Sequence, residues 1–264
     1  GPRRMNRAVV TRAAAGLAEY LQRSTTITDR AEPLSVVVGY DARHKSEQFA
    51  RDTAQVMTGA GIGVVTLPQA LPTPVLAFAI RHLGCDAGVM VTASHNPSHD
   101  NGYKVYLGDG CQIVPPADAQ ISTFIDHVDA VRQIPRGDEG SPAGAEILDA
   151  YIGSVTRLVP ADSTRAVSIA YTPMHGVGGE VMVRVLDRAG FPPPRVVAPQ
   201  FLPDPDFPTV EFPNPEEPGA MDLVIEEGIE CDADVVIAHD PDADRCAVAV
   251  PSRDRGAGGG QPLP

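Results

Sequence analysis

The chain has 264 residues and 43% hydrophobic content, enough to fill the cores of two domains. Its net charge of -13 argues against nucleic acid as a partner, since a phosphate backbone attracts clustered Lys and Arg. No run reaches the ~18 consecutive apolar residues of a membrane span, and Gly1-Pro2-Arg3-Arg4-Met5-Asn6 lacks the apolar core of a signal peptide, so no membrane partner and a cytoplasmic location are expected.

Apolar residues at helical intervals predict a helix over 8–21, and the β-branched run at 35–40 predicts a short buried strand. A helix over 49–60 closes at Gly61, a strand follows at 63–67, and a helix over 73–83 opens through Pro74 and ends at Gly84. The next strand is 87–92, with Ser94 just past its end. A Pro/Gly-rich stretch at 134–144 places a boundary near residue 140, giving domains 1–140 and 141–264. Beyond it the alternation resumes: helix 145–158, strand 167–171, helix 179–189, strand 195–198, helix 221–227 and strand 235–239. This order implies two consecutive three-layer α/β/α domains with mixed, largely parallel sheets, whose ligand sites lie at the carboxyl ends of the strands. Ser94 and Asp240 both fall there.

Cys85, Cys111, Cys231 and Cys246 lie far apart with no CxxC pair, which suggests neither a zinc knuckle nor a disulfide framework; reduced thiols, most of them buried, are expected. His44, His82, His99 and His127 show no metal-ligand spacing either. Lys45 and Lys104 are the only lysines. A proton-transfer group has to be able to lose its proton, which a desolvated lysine does and arginine does not. Asn96-Pro97 and Asp100-Asn101-Gly102 make turns, so Ser94 and Lys104 are expected to face one pocket from opposite sides of a tight loop, with His95 beside the reacting oxygen. His95 or Lys104 would take a proton from an attacking sugar hydroxyl and return it to the leaving oxygen. A bare Ser-His pair, taken alone, is more often a capped turn. No GxSxG elbow surrounds Ser94 and no evident acid orients His95, which sets acyl transfer aside.

Asp240, Asp242 and Asp244 alternate, and are expected to project to one side of an extended segment after the strand at 235–239. Three converging carboxylates repel unless a cation sits between them, and Mg²⁺ suits such oxygen ligands while accepting phosphate oxygens as well. An EF-hand is excluded, because its glycine and final glutamate positions hold Arg245 and Pro251. A phosphatase with an aspartyl nucleophile in a DxD loop, here Asp240 and Asp242, stays open as a second mechanism. Met174-His175-Gly176-Val177-Gly178-Gly179 departs from GxGxxG and reads as a structural turn.

These motifs together resemble the α-D-phosphohexomutase superfamily, which holds the phosphoglucomutases and phosphomannomutases. Residues 92–97, continuing through Asp100-Asn101-Gly102-Tyr103-Lys104-Val105-Tyr106, resemble its phosphoserine loop, and 240–245 resembles its magnesium loop. Gly39-Tyr40-Asp41-Ala42-Arg43, Tyr171-Thr172-Pro173-Met174-His175-Gly176 and Pro213-Asn214-Pro215-Glu216-Glu217-Pro218 resemble linking motifs of the branch with the second type of phosphoglucomutase and the phosphopentomutases.

The resemblance implies that phospho-Ser94 gives its phosphoryl group to a sugar monophosphate, forming a hexose 1,6-bisphosphate that returns its other phosphoryl group to Ser94. It implies Mg²⁺ held by Asp240, Asp242, Asp244 and an oxygen on Ser94, a fixed positive charge from Arg245, and proton transfer by His95 and Lys104. Glucose or mannose phosphate is the expected substrate. A phosphopentomutase, a sugar-bisphosphate synthase, or a non-catalytic phosphoryl-carrying or regulatory module are the alternatives. Members of the family have four domains, and the match here is to the first two. The sugar-reading and phosphate-clamping domains have no counterpart, the opening glycine-rich strand is expected to be truncated, and Gly256-Ala257-Gly258-Gly259-Gly260 resembles a loop cut short.

Overall fold

The structure is a computed structural model and describes residues 4–24 and 33–251. The first three residues and the glycine-rich tail at 256–260 therefore lie outside the described residues. Internal contacts divide the chain into two units, one of Gly1–Ala93 with His99–Ile147 and one of Ser94–Ser98 with Leu148–Pro264.

In the first unit α1 (Arg7–Ser24), β1 (Ser35–Tyr40), α2 (Ser46–Gly59), β2 (Gly63–Thr66), α3 (Thr73–Leu83) and β3 (Ala87–Val91) follow the alternation read from the sequence. Further on come β4 (Lys104–Leu107), α4 (Ala117–Asp126), a 3-10 turn at Val131–Gln133 and β5 (Ser141–Pro142). The sheet order is β4-β3-β1-β2-β5, parallel throughout except at the edge strand β4. The unbroken apolar run of β1 reflects cover on both faces. Val36 and Val38 join Val10, Leu17, Phe49 and Met57 of α1 and α2 in one cluster. Val37 and Gly39 point the other way, where Leu76 of α3 closes over Gly39.

The second unit takes most of α5 (Glu146–Thr156), then β6 (Ile169–Thr172), α6 (Gly178–Arg188), β7 (Arg195–Val196), α7 (Ala198–Phe201), α8 (Asp222–Glu230), β8 (Val235–His239) and β9 (Cys246–Ala249). Its sheet runs β7-β6-β8-β9, again parallel except for the last edge strand. Val224 of α8 packs with Ala170, Val236 and Ala238 on one face, and Leu186 of α6 packs with Ile169 and Tyr171 on the other. Two α/β domains with mostly parallel sheets are thus what the alternation implied.

Two sequence expectations need correction. Lys104 does not sit in a loop: it opens β4, paired in register with Met90 of β3, because the chain doubles back directly after its turn into an antiparallel edge. Nor are most of the cysteines buried. Cys85 is, whereas Cys231 is half-buried and Cys111 and Cys246 are exposed, Cys246 because it begins the edge strand β9. No helix among the described residues is long and apolar enough to cross a membrane.

Candidate active site

β3 ends at Val91, and the chain passes through residues 92–103 before β4 begins. In that loop Ser94 has φ 52°, a left-handed backbone that non-glycine residues adopt only where their surroundings hold it. Ser94 is buried, and its segment, Ser94–Ser98, clusters with the second unit. There its Oγ donates a hydrogen bond to Asp240 Oδ2 at 2.9 Å. His95 lies half-buried in the same segment, while Lys104 belongs to the first unit.

β8 ends at His239 and leads straight into the acidic loop. The loop is a turn, not the extended segment expected from alternation. Ala243 is left-handed at φ 53°, and its N–H donates to the Asp240 carbonyl at 2.9 Å. Extended backbone would set Asp240 and Asp244 about 13 Å apart. The turn instead brings one carboxylate oxygen each of Asp240, Asp242 and Asp244 within 4.8 Å of one another. The Arg245 N–H closes the loop by donating to Asp240 Oδ1 at 3.1 Å, which leaves the half-buried Arg245 at its outgoing end.

Asp240 and Asp242 are fully buried and Asp244 is exposed. Burial, with the charges of Asp242 and Asp244 adding to it, pushes the Asp240 carboxyl up to about 7, against the pull of the Ser94 hydroxyl. Mutually repelling carboxylates on a tight buried turn, with a serine hydroxyl on one of them, form a donor set of hard oxygens. This set fits Mg²⁺.

Sequence reading assigned no role at the site to the residues that support this loop. The turn after β6 carries two successive left-handed residues, Met174 and His175, at φ 47° and 59°. It brings Gly176 so close to the acidic loop that a Cβ there would lie 2.3 Å from Pro241 Cα. The Val177 N–H donates to the Pro241 carbonyl at 2.9 Å. The His175 and Gly176 amides are likewise spent, on the carbonyls of Gln200 and Pro173, so this turn braces its neighbour and offers these N–H groups to no anion. Neutral side chains hold it in turn. Thr172 Oγ1 donates to Gln200 Oε1 at 2.6 Å, Gln200 Nε2 donates to Thr209 Oγ1 at 2.9 Å, and His175 Nε2 meets the same Thr209 hydroxyl at 2.8 Å. Next to the acidic loop Tyr171 Oη and His239 Nδ1 lie 3.1 Å apart, and burial lowers the His239 imidazole. The glycine at 176, directly after Met174-His175, was the available signal.

Comparison with known proteins bears on the family and the fold. Residues 1–132 match the family model described as phosphoglucomutase/phosphomannomutase, alpha/beta/alpha domain I, and residues 149–256 match domain II of the same series. A probable phosphomannomutase of Haemophilus influenzae is 53% identical over 252 residues, covering 94% of this chain and 50% of that protein. A phosphoribomutase of Saccharomyces cerevisiae is 37% identical over 271 residues, covering 94% and 43%. A phosphoglucomutase of Staphylococcus haemolyticus is 35% identical over 253 residues, covering 93% and 45%. Among solved structures, a proposed phosphomannomutase from Thermus thermophilus superposes with a TM-score of 0.82 at 27% identity, covering 94% of this chain and 54% of the other. The chain spans about half the length of the curated relatives it matches.

Proposed function

The chain belongs to the phosphoglucomutase/phosphomannomutase family, and from that premise we propose that it carries the phosphoryl-transfer half of a cytoplasmic phosphohexomutase interconverting hexose 1-phosphate and hexose 6-phosphate. The carrying observation is the hydrogen bond from Ser94 Oγ to Asp240 within a cluster of three carboxylates. Phospho-Ser94 transfers its phosphoryl group to a hydroxyl of the sugar monophosphate. The P–O bond to Ser94 breaks, a P–O bond to the sugar forms, and His95 or Lys104 takes the sugar proton and returns it to the leaving Ser94 oxygen. Hexose 1,6-bisphosphate results, and the reverse exchange at its other end restores phospho-Ser94.

Asp240, Asp242 and Asp244, with a phosphate oxygen on Ser94, would hold Mg²⁺. When bound, the ion supplies positive charge against which the transferring phosphoryl oxygens are stabilised. Arg245 adds a fixed positive charge beside the same loop.

A hexose is favoured because the 53% identical relative is a probable phosphomannomutase. The phosphoribomutase at 37% identity supports a pentose phosphate as the second reading. These 264 residues span about half the length of the relatives they match, and on their own they are expected to turn over poorly.

The test is peptide mapping after incubation of the full-length protein with Mg²⁺ and hexose 1,6-bisphosphate. One phosphoryl group on Ser94, and mutase activity lost in Ser94→Ala, are the expected results. A phosphoryl group on Asp240 would favour the aspartyl route instead. An unmodified Ser94 with no mutase activity would leave a binding module.

A further inference from the structure

The two limbs of the serine loop lie in the first unit, where a buried polar cluster that the proposed chemistry does not use holds them. It sits where β1 runs into α2. Asp41 and Arg43 are both buried, with Arg43 Nε 3.2 Å from Asp41 Oδ2. Asp41 Oδ1 accepts from Ser46 Oγ at 2.6 Å and from the Arg43 N–H at 3.1 Å. Lys45, between them, is left-handed at φ 67°.

This cluster reaches both limbs of the loop that carries Ser94. On the incoming limb the Thr92 side chain hydrogen-bonds Asp41, and the Asp41 N–H donates to the Val91 carbonyl at 3.1 Å. On the outgoing limb Arg43 Nη1 donates to the Asp100 carbonyl at 3.4 Å. Asn101 Nδ2 donates to the His44 carbonyl at 2.8 Å and to Ser46 Oγ at 3.2 Å. The limbs also touch each other, since a Cβ on Gly102 would fall 2.4 Å from the Thr92 carbonyl oxygen. A loop pinned at both ends presents its middle in one conformation, and Ser94, two residues past Thr92, is held in a left-handed backbone that needs such constraint.

A buried ion pair is a poor source of net stability, because desolvation offsets its attraction; its attested use is to fix geometry. Burial does raise the Asp41 carboxyl, with Arg43, Ser46 and Thr92 opposing it. We propose that Asp41 and Arg43 are positioning residues for the serine loop, anchoring both of its limbs so that Ser94 Oγ is aimed for in-line phosphoryl transfer. The inference rests on the reading that Ser94 carries the phosphoryl group. Its consequence is kinetic: loosening the anchor lowers the rate of transfer and leaves sugar binding nearly intact.

The experiment uses the protein at its full encoded length with three variants, Ser94→Ala, Arg43→Lys and Asn101→Ala. Arg43→Lys keeps the charge but loses the fork that spans Asp41 and Asp100. Asn101→Ala removes one of the two attachments of the outgoing limb without touching the buried charges. Steady-state kinetics, the rate of Ser94 phosphorylation by hexose 1,6-bisphosphate, and amide exchange over residues 92–104 are read for each. Both anchor variants are expected to lower kcat and the phosphorylation rate by about 10- to 100-fold with KM changed by no more than about twofold, while exchange quickens in that loop alone. If Arg43→Lys fails to fold, Asn101→Ala decides. Normal rates in a folded anchor variant, alongside an inactive Ser94→Ala, would overturn the positioning role and leave the phosphoserine reading standing. Activity in Ser94→Ala would overturn the phosphoserine reading itself, and this inference with it.

Discussion

The two site loops are built on the same plan and held by opposite means. Each leaves a parallel strand, β3 or β8, and returns as the antiparallel edge strand, β4 or β9. The serine loop is anchored through a buried ion pair, Asp41 with Arg43. The acidic loop is braced by neutral contacts: the Val177 N–H on Pro241, the approach of Gly176, and a network of Thr172, Gln200, His175 and Thr209. Its own carboxylates explain the difference. A loop that already crowds Asp240, Asp242 and Asp244 gains nothing from a buried acid in its support and would compete for any buried cation. The serine loop has no such crowding, so a charged pair can fix it. Charge crowds one loop and fastens the other.

The largest effect expected from this contrast is the loss of the fastener. Asp41→Asn keeps an oxygen for Ser46 but removes the buried charge that faces the Arg43 guanidinium, so the first unit should lose about 3–5 kcal/mol. Chemical denaturation followed by a probe in that unit measures it. A loss under about 1 kcal/mol would mean that Arg43 finds its charge balance elsewhere.

Next comes the brace. Gly176→Ala puts a methyl group 2.3 Å from Pro241 Cα and 2.4 Å from the Pro241 carbonyl oxygen, both backbone atoms that cannot swing aside. The acidic loop must move, and the Mg²⁺ dissociation constant should rise by about 10- to 100-fold, the usual scale for a lost supporting contact at a metal site. Calorimetric titration with Mg²⁺ checks this, and an unchanged affinity would detach the turn after β6 from the acidic loop.

A third substitution repeats the first chemical change with the opposite sign. Asp242→Asn removes one of the charges that push up the Asp240 carboxyl. The metal-free protein should therefore gain about 1 kcal/mol, the scale of one pKa unit, while Mg²⁺ binding weakens. Melting curves in chelator and in Mg²⁺ would cross. Destabilisation under both conditions would show that Asp242 is a structural acceptor first.

Local signals carried the elements well, and long-range ones explain what was missed. β1, α3 and β8 have the same limits in the structure as in the sequence pattern, because a covered strand or a helix framed by Pro74 and Gly84 is specified within its own few residues. The placement of Ser94 and Asp240 beyond parallel strands follows from that alternation. β4 and β9 were not read, being four residues each and defined by partners across the sheet. The convergence of the three carboxylates was expected from alternation, yet it arises from a turn with a left-handed Ala243, a residue type that announces no such turn. Arg43 and Asp100 are 57 residues apart, and His175 and Thr209 are 34 apart. Nothing in a single sequence links such pairs, although the motifs containing Arg43 and His175 were both visible in it.

The smallest effect tests whether the brace is neutral, as the contrast requires. His175 is buried, and burial lowers its imidazole pKa, partly offset by Asp204. A histidine of lowered pKa stays neutral in the folded protein at a pH where the unfolded chain takes up the proton. Stability is therefore unaffected by this group above about pH 6.5, falls as the pH drops below that value, and levels off below the folded pKa. His175→Gln keeps a donor within reach of Thr209 and removes the titration. The cost of placing Gln at a left-handed position does not change with pH and drops out of the comparison. Melting temperatures of the two proteins should therefore converge between pH 7 and pH 5, the wild type losing more on acidification. A gap that widens would mean that folding favours the charged His175, and that the acidic loop too is held by an ion; a constant gap would mean that folding leaves its pKa unchanged.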